Sequence, residues 1–284
     1  PAGPQAYVEA ADTRPPPAPA SPLPITRRAP MPAVGEMRPL VFPATERVRL
    51  SNGIEVIYVR SATVPITRVA VEFNAGLAAD PADDLGPQSL MLGLLKEAAG
   101  DRDPAQIAER EEQLGASVSA GASMDRTVVS LTSPSANLDP SLALLGDVIR
   151  RPAFPPADIE RPRAQQLASI AQERSSPNGM AARAWPALVY GAAHPYGRPM
   201  TGLGSPETVG AISREDLQAF HANWIRPDTA QIFVVSDKPL SEVVALLDTH
   251  LGHWVPSATP PGVKNFDAAI PAAQPRIVLV DRPQ

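Results

Sequence analysis

The chain contains no cysteine. Disulfides, thiolate catalysis and cysteine-ligated zinc are therefore excluded. The absence fixes no compartment, because cytosolic and exported proteins can both do without the residue. Long apolar runs are missing too, and none could span a bilayer. Neither an initiator methionine nor an apolar signal core stands at the start, so Pro1 is expected to open a processed or trimmed chain. Strong positive charge is also lacking. The densest basic runs, Arg150-Arg151 and Arg161 to Arg163, are interrupted by prolines and acids, and the net charge is -5. That balance argues against nucleic acid as the main partner.

What the chain does have is an ordinary globular composition, 44% hydrophobic and 19% charged over 284 residues. This suffices for one large domain or two modest ones. It also has 35 prolines, about twice the usual share. They crowd residues 14–24, where neither helix nor sheet ladder can form and an extended polyproline conformation is favoured. Residues 1–40 are read as a proline-rich arm, suited to holding a domain away from a membrane or a larger assembly.

Regular structure is expected from Glu46. Residues 48–59 read as a hairpin, because Asn52-Gly53 supplies the positive φ angles of a tight turn between two alternating runs. Residues 66–73 alternate again, with Val69, Val71 and Phe73 on one face. Helices are predicted over 83–98, 103–114, 138–150, 155–172, 180–190, 214–224 and 240–251. Asp103 and Ser213 serve as N-caps, Pro104 takes a first helical position, and Pro162 falls in the first turn or two of its helix. Strands are predicted over 116–123, 127–132 and 229–235. Hairpins mixed with helix pairs predict an α+β layer fold, not a doubly wound parallel sheet. Residues 275–284 read as a buried-type strand that needs neighbours. The expectation is that the native chain continues beyond Gln284 or that this strand pairs with another chain.

Few residues suggest chemistry by themselves. His250 and His253, three apart near a helix end, have a spacing that can hold a metal. Interaction with the helix dipole explains them more simply. His194 and Tyr196 belong to a loop whose Gly197 turns the backbone, and His221 reads as a helix residue packing beside Trp224. Ser119 has no His and Asp partners placed for a triad. Asp83-Asp84 and Glu111-Glu112 are sequence neighbours that point apart on a helix, so they read as solvated surface.

Several segments, in order and spacing, resemble the insulinase and processing-peptidase family of zinc peptidases (the pitrilysin family, M16). They are Leu50-Ser-Asn-Gly-Ile-Glu-Val56, Phe73-Asn-Ala-Gly-Leu-Ala-Ala-Asp-Pro81, Leu85-Gly-Pro-Gln-Ser-Leu-Met-Leu-Gly-Leu-Leu-Lys96, Leu114 to Ser123, His194-Pro-Tyr-Gly-Arg198 and Ser213 to Asp237. The resemblance covers residues 46–255. It implies a two-layer fold with a mostly antiparallel sheet and helices on one face. It also implies an N-terminal family domain over 41–265, with 266–284 as a linker and the first strand of a second repeat.

The family's metal motif is H-x-x-E-H on a helix, in which two imidazoles grip zinc and the carboxylate activates the bound water. A glutamate from a later helix completes the site. The resemblance places the first histidine at Ser89, the glutamate at Leu92, the second histidine at Gly93 and the later ligand at Ser169. Neutral hydroxyls are poor zinc ligands, and Leu and Gly offer none. The sequence therefore predicts no catalytic residue and no metal site in this chain, with zinc only in a partner subunit. The family's edge strand, which takes extended peptide, corresponds to residues 116–123, and Ser117, Ser119, Ala120 and Gly121 are the expected peptide contacts.

The resemblance implies a non-catalytic homologue, the zinc-free subunit or half that pairs with a zinc-bearing relative, or with a second copy of itself, to enclose a peptide-degrading chamber. The alternative is a stand-alone scaffold of the same fold with no role in proteolysis. A bacterial periplasmic or envelope location is expected from the proline-rich start and the missing cysteine, with the cytoplasm as the other choice.

Overall fold

The computed structural model describes Gly35 and residues 42–275 and 277–281. The expected arm over 1–40 lies, apart from Gly35, outside the described residues. Six strands form one sheet in the order β1-β2-β6-β3-β5-β4. They are β1 (Glu46–Arg49), β2 (Glu55–Arg60), β3 (Ile66–Phe73), β4 (Ser117–Ala122), β5 (Thr127–Pro134) and β6 (Ala230–Ser236). Every neighbouring pair is antiparallel except β2 with β6. β6 arrives late in the chain and inserts between β2 and β3, so the fold closes only after the helical half has been made.

The register explains why a single face is covered. Tyr58, Val234, Val69, Leu131 and Val118 lie opposite one another across five strands, and all are buried. Val56, Ile232, Val71 and Val129 form the next buried row. With a side-chain period of two, the intervening residues must face the other way. There Ile66 and Val235 are 40% and 42% exposed. The helices therefore pack on one face, as an α+β two-layer fold requires.

These helices are α1 (Pro87–Leu94), α2 (Pro104–Leu114), α3 (Leu138–Arg150), α4 (Pro156–Ser175), α5 (Pro177–Tyr190), α6 (Pro206–Ala211), α7 (Arg214–Trp224) and α8 (Leu240–Leu251). α3 and α8 supply Leu142, Leu145, Val148, Val243 and Leu247 to the core, and α1 supplies Leu90, Met91 and Leu94. Asp103 caps α2 and Ser213 caps α7, each in a capping box.

One expectation needs correction. The helix expected over 83–98 is only Pro87–Leu94, because Gly86 sits at φ 116 before Pro87 and the Asp80 carboxylate takes the N–H groups of Gly86 and Gln88 at 2.8 Å. A pre-proline residue resists helical angles, so residues 83–86 cannot join. Pro162 is the seventh residue of α4, within its second turn as expected. Residues 277–281 belong to no strand, and Ile277 and Leu279 are almost wholly exposed. One short helix, α6, escaped the sequence reading despite the Ser205 and Thr208 capping box that starts it.

The turn before α1 is held at close quarters. Gly76 has φ 88, and a Cβ there would come within 2.5 Å of Arg126 N and 2.6 Å of Met124 O. At Gly53, φ is +90 but nothing lies within 4 Å. Gly76→Ala should therefore cost roughly 3 kcal/mol in denaturant unfolding, and Gly53→Ala only about 1 kcal/mol. Equal losses at the two sites would contradict the close approach.

Asp80 yields a second prediction. Burial raises its carboxyl to about 7, against the two backbone donors and Arg198, which favour the charged form. The folded chain thus keeps a proton that the unfolded chain releases near pH ~4. Asp80's contribution to stability is full below that unfolded value and is lost as pH rises through about 7. Relative to Asp80→Asn, the wild type should lose roughly 2–4 kcal/mol of unfolding free energy across this window. Denaturant unfolding over a pH series measures it, and a flat difference between the two proteins would contradict it.

Candidate functional site

Of the positions that the resemblance assigns to the metal motif, Ser89, Leu92 and Gly93 lie on the side of α1 turned away from the sheet, where α4 and the loop 199–205 meet it, and Ser169 lies on α4. Leu90, Met91 and Leu94 anchor the opposite side in the core. Ser89 donates its hydroxyl to Gly202 O at 2.8 Å. Leu92 is half-buried and packs against the core. Gly93 is exposed, and a Cβ there would meet only Pro162 Cβ of α4, at 3.9 Å. Ser169 donates to Gln165 O at 3.0 Å within its own helix.

Both hydroxyls are thus spent on backbone carbonyls, and the two positions between them carry no polar side chain. Zinc needs imidazole, thiolate or carboxylate donors, and these residues do not fit it. Among the described residues, no group of three or more His, Asp or Glu side chains could hold a metal ion.

The loop that Ser89 grips is held from every side. Gln166 Nε2 donates to Leu203 O at 2.8 Å and Gly86 O at 3.2 Å. Arg183 Nη2 donates to Gly204 O at 2.5 Å, while its Nη1 pairs with Glu173 at 2.7 Å. Thr208 Oγ1 donates to Leu85 O at 2.7 Å. Side-chain to backbone bonds therefore fix the loop against the starts of α1 and α6 and against α4 and α5. Next to Ser89, the buried Gln88 donates to Thr127 Oγ1 at 2.8 Å, and its Oε1 has no partner. Arg198 donates to Ala78 O, and burial lowers its pKa. Sequence reasoning missed Gln88, Gln166, Glu173, Arg183 and Arg198. The polar residues on helix faces were visible, but their loop partners lie far along the chain.

Three of the four histidines, His194, His221 and His250, have structural partners. His194 Nδ1 accepts from Tyr196 N at 3.1 Å, and its ring stacks on Tyr190. Tyr196 donates to Asp125 at 2.8 Å, which raises the phenol's pKa. His221, a residue of α7 as expected, packs edge-on against Phe154 and donates Nε2–H to Ile149 O at 2.8 Å. Burial lowers its pKa. His250 pairs with Asp139 at 2.7 Å, a contact that joins α8 to α3.

The expected peptide contacts Ser117, Ser119, Ala120 and Gly121 all lie on β4, at the edge of the sheet. Their backbone phase follows from Val118, whose N–H donates to Glu111 Oε1 and whose C=O accepts from Lys96 Nζ. In an antiparallel strand, the two backbone groups of a residue share one side and successive residues alternate. Val118, Ala120 and Ala122 therefore turn outward. Ser117, Ser119 and Gly121 direct their backbone groups at β5, so Ala120 alone of the four presents them at the edge. No helix among the described residues is long and apolar enough to cross a membrane.

Comparison with known proteins agrees with this architecture. A family model described as insulinase (peptidase family M16) matches residues 55–197. Another, described as the peptidase M16 inactive domain, matches residues 211–284. An uncharacterized zinc protease of Mycobacterium tuberculosis is 24% identical over 252 residues, which cover 89% of this chain and 57% of the relative. A probable mitochondrial-processing peptidase subunit beta of Schizosaccharomyces pombe is 26% identical over 76% of this chain and 47% of its own length. The chain thus spans about half the length of the curated relatives it matches.

The crystal structure of a peptidase M16 inactive domain from Pseudomonas fluorescens superposes with a TM-score of 0.71 at 26% identity, covering 78% of this chain and 53% of that one. A protease from Helicobacter pylori gives the same TM-score at 20% identity, over 79% of this chain and 54% of its own, and so shares the fold. With one family model matching half of its residues and the layered fold shared, the chain belongs to peptidase family M16.

Proposed function

We propose that this chain is a non-catalytic M16 homologue, the zinc-free subunit or half that pairs with a zinc-bearing M16 partner to enclose a peptide-degrading chamber. One observation carries the reading. At all four motif positions the side chain is absent, aliphatic, or a hydroxyl already bonded to a backbone carbonyl. The match of residues 211–284 to a model described as an inactive domain supports it.

In this proposal zinc belongs to the partner. The chain supplies a chamber wall and, at β4, a sheet edge for extended peptide. The arm over residues 1–40 serves as a tether in a bacterial envelope compartment, a placement supported by its proline content and by the missing cysteine.

The test is reconstitution with a zinc-bearing M16 protein of the same organism. The chain alone should leave a fluorogenic peptide library uncut. The co-purified pair should cut it, and a zinc chelator should abolish the activity. Ser89→Ala in this chain should leave the cutting rate within about twofold, because its hydroxyl serves a loop and no reacting group. Cleavage by the chain alone would overturn the non-catalytic reading. A stable complex that cuts nothing would overturn the chamber and favour a scaffold.

A further inference from the structure

A sheet edge presents unpaired N–H and C=O groups, and proteins commonly restrict such edges. β4 carries that liability here, and its three outward-facing residues are not alike. At Val118 the edge is occupied. Glu111 Oε1 accepts the Val118 N–H at 2.5 Å, and Lys96 Nζ donates to the Val118 C=O at 2.9 Å. The same ammonium holds both Glu111 oxygens, at 2.9 and 2.7 Å. The pair thus mimics the donor and acceptor of a neighbouring strand residue. It is also positioned from two elements: Glu111 lies on α2, and Lys96 lies just past α1.

The far end of the strand is bounded as well. Beyond Ala122, Leu77 N–H donates to Ser123 O at 3.0 Å and Ala78 N–H to Met124 O at 2.8 Å. Between these ends, the outward groups of Ala120 and Ala122 have no hydrogen-bond partner among the described residues.

We propose that Lys96 and Glu111 form a clamp that closes the β4 edge at Val118 and confines strand addition to Ala120 and Ala122. The two are positioning residues. They set the register in which an extended polypeptide joins the sheet, and they keep the edge too short for another sheet to extend it. That the guest is a peptide rests on the function proposed above, whereas the clamp does not.

Amide hydrogen exchange on the full chain tests it. In the wild type, Val118 should exchange on the order of tenfold or more slowly than Ala120 and Ala122, as a hydrogen bond to a charged group implies. The variant carrying Lys96→Ala and Glu111→Ala should bring Val118 to within about threefold of Ala120. Glu112→Ala, at the exposed neighbour, should leave all three rates unchanged. A blocked pentapeptide of alternating valine and threonine, at millimolar concentration, should slow Ala120 and Ala122 in the wild type and Val118 as well in the double variant.

Equal wild-type rates at Val118 and Ala120 would overturn the clamp. They can be measured without variant, peptide or partner, so failure of the chamber proposal would leave that result standing. A peptide that failed to slow Ala120 and Ala122 would overturn the window.

Discussion

The packing of α1 is the constraint on which the rest of this structure depends. Leu90, Met91 and Leu94 bury one side of a short helix over the sheet, and this fixes positions 89, 92 and 93 on the other side. The start of the helix is set by the Asp80 carboxylate, which gathers two backbone N–H groups beside Gly86 and Pro87. The M16 scaffold is therefore intact at the point where its chemistry would be placed. In the proposed reading, only the side chains that would perform it are different. Fold and activity are separable in this way because a scaffold is stabilised by the buried side of an element, whereas a site is built on the other side.

The replacements at the motif are tied into the surrounding structure. Ser89 holds Gly202, while Gln166 and Arg183 hold the two residues after it. The loop 199–205 is thereby locked over the helix by backbone carbonyls whose donors come from α1, α4 and α5. A buried carbonyl without a donor is costly, so these contacts contribute to stability. Ser89, Gln166 and Arg183 thus have a structural role in holding this loop.

Much of the fold was legible in the sequence. Alternation marked the hairpin over 48–59 and the strand over 66–73, and the buried rows across the sheet show why. Asp103-Pro104 and Ser213 located helix starts because a cap is a local interaction. The assignment of the metal-motif positions to Ser89, Leu92, Gly93 and Ser169 rests on the family resemblance. What stayed hidden was non-local. Alternation says which side chains share a face, but not which backbone groups an edge strand leaves free. That phase depends on pairing with β5 and shows only through Val118's bonds to Glu111 and Lys96. His221 was read within its own helix, and its contact with Phe154 comes from a distant segment. The apolar run over 277–281 has strand propensity, but it pairs with no strand among the described residues.

The central claim is that α1 and α4 present no zinc site in this chain, and direct metal binding tests it best. Calorimetric titration of zinc into the metal-stripped, purified chain, paired with elemental analysis of the chain as isolated, should give no stoichiometric binding. One zinc per chain, lost when Ser89 and Ser169 are both replaced by alanine, would contradict the account.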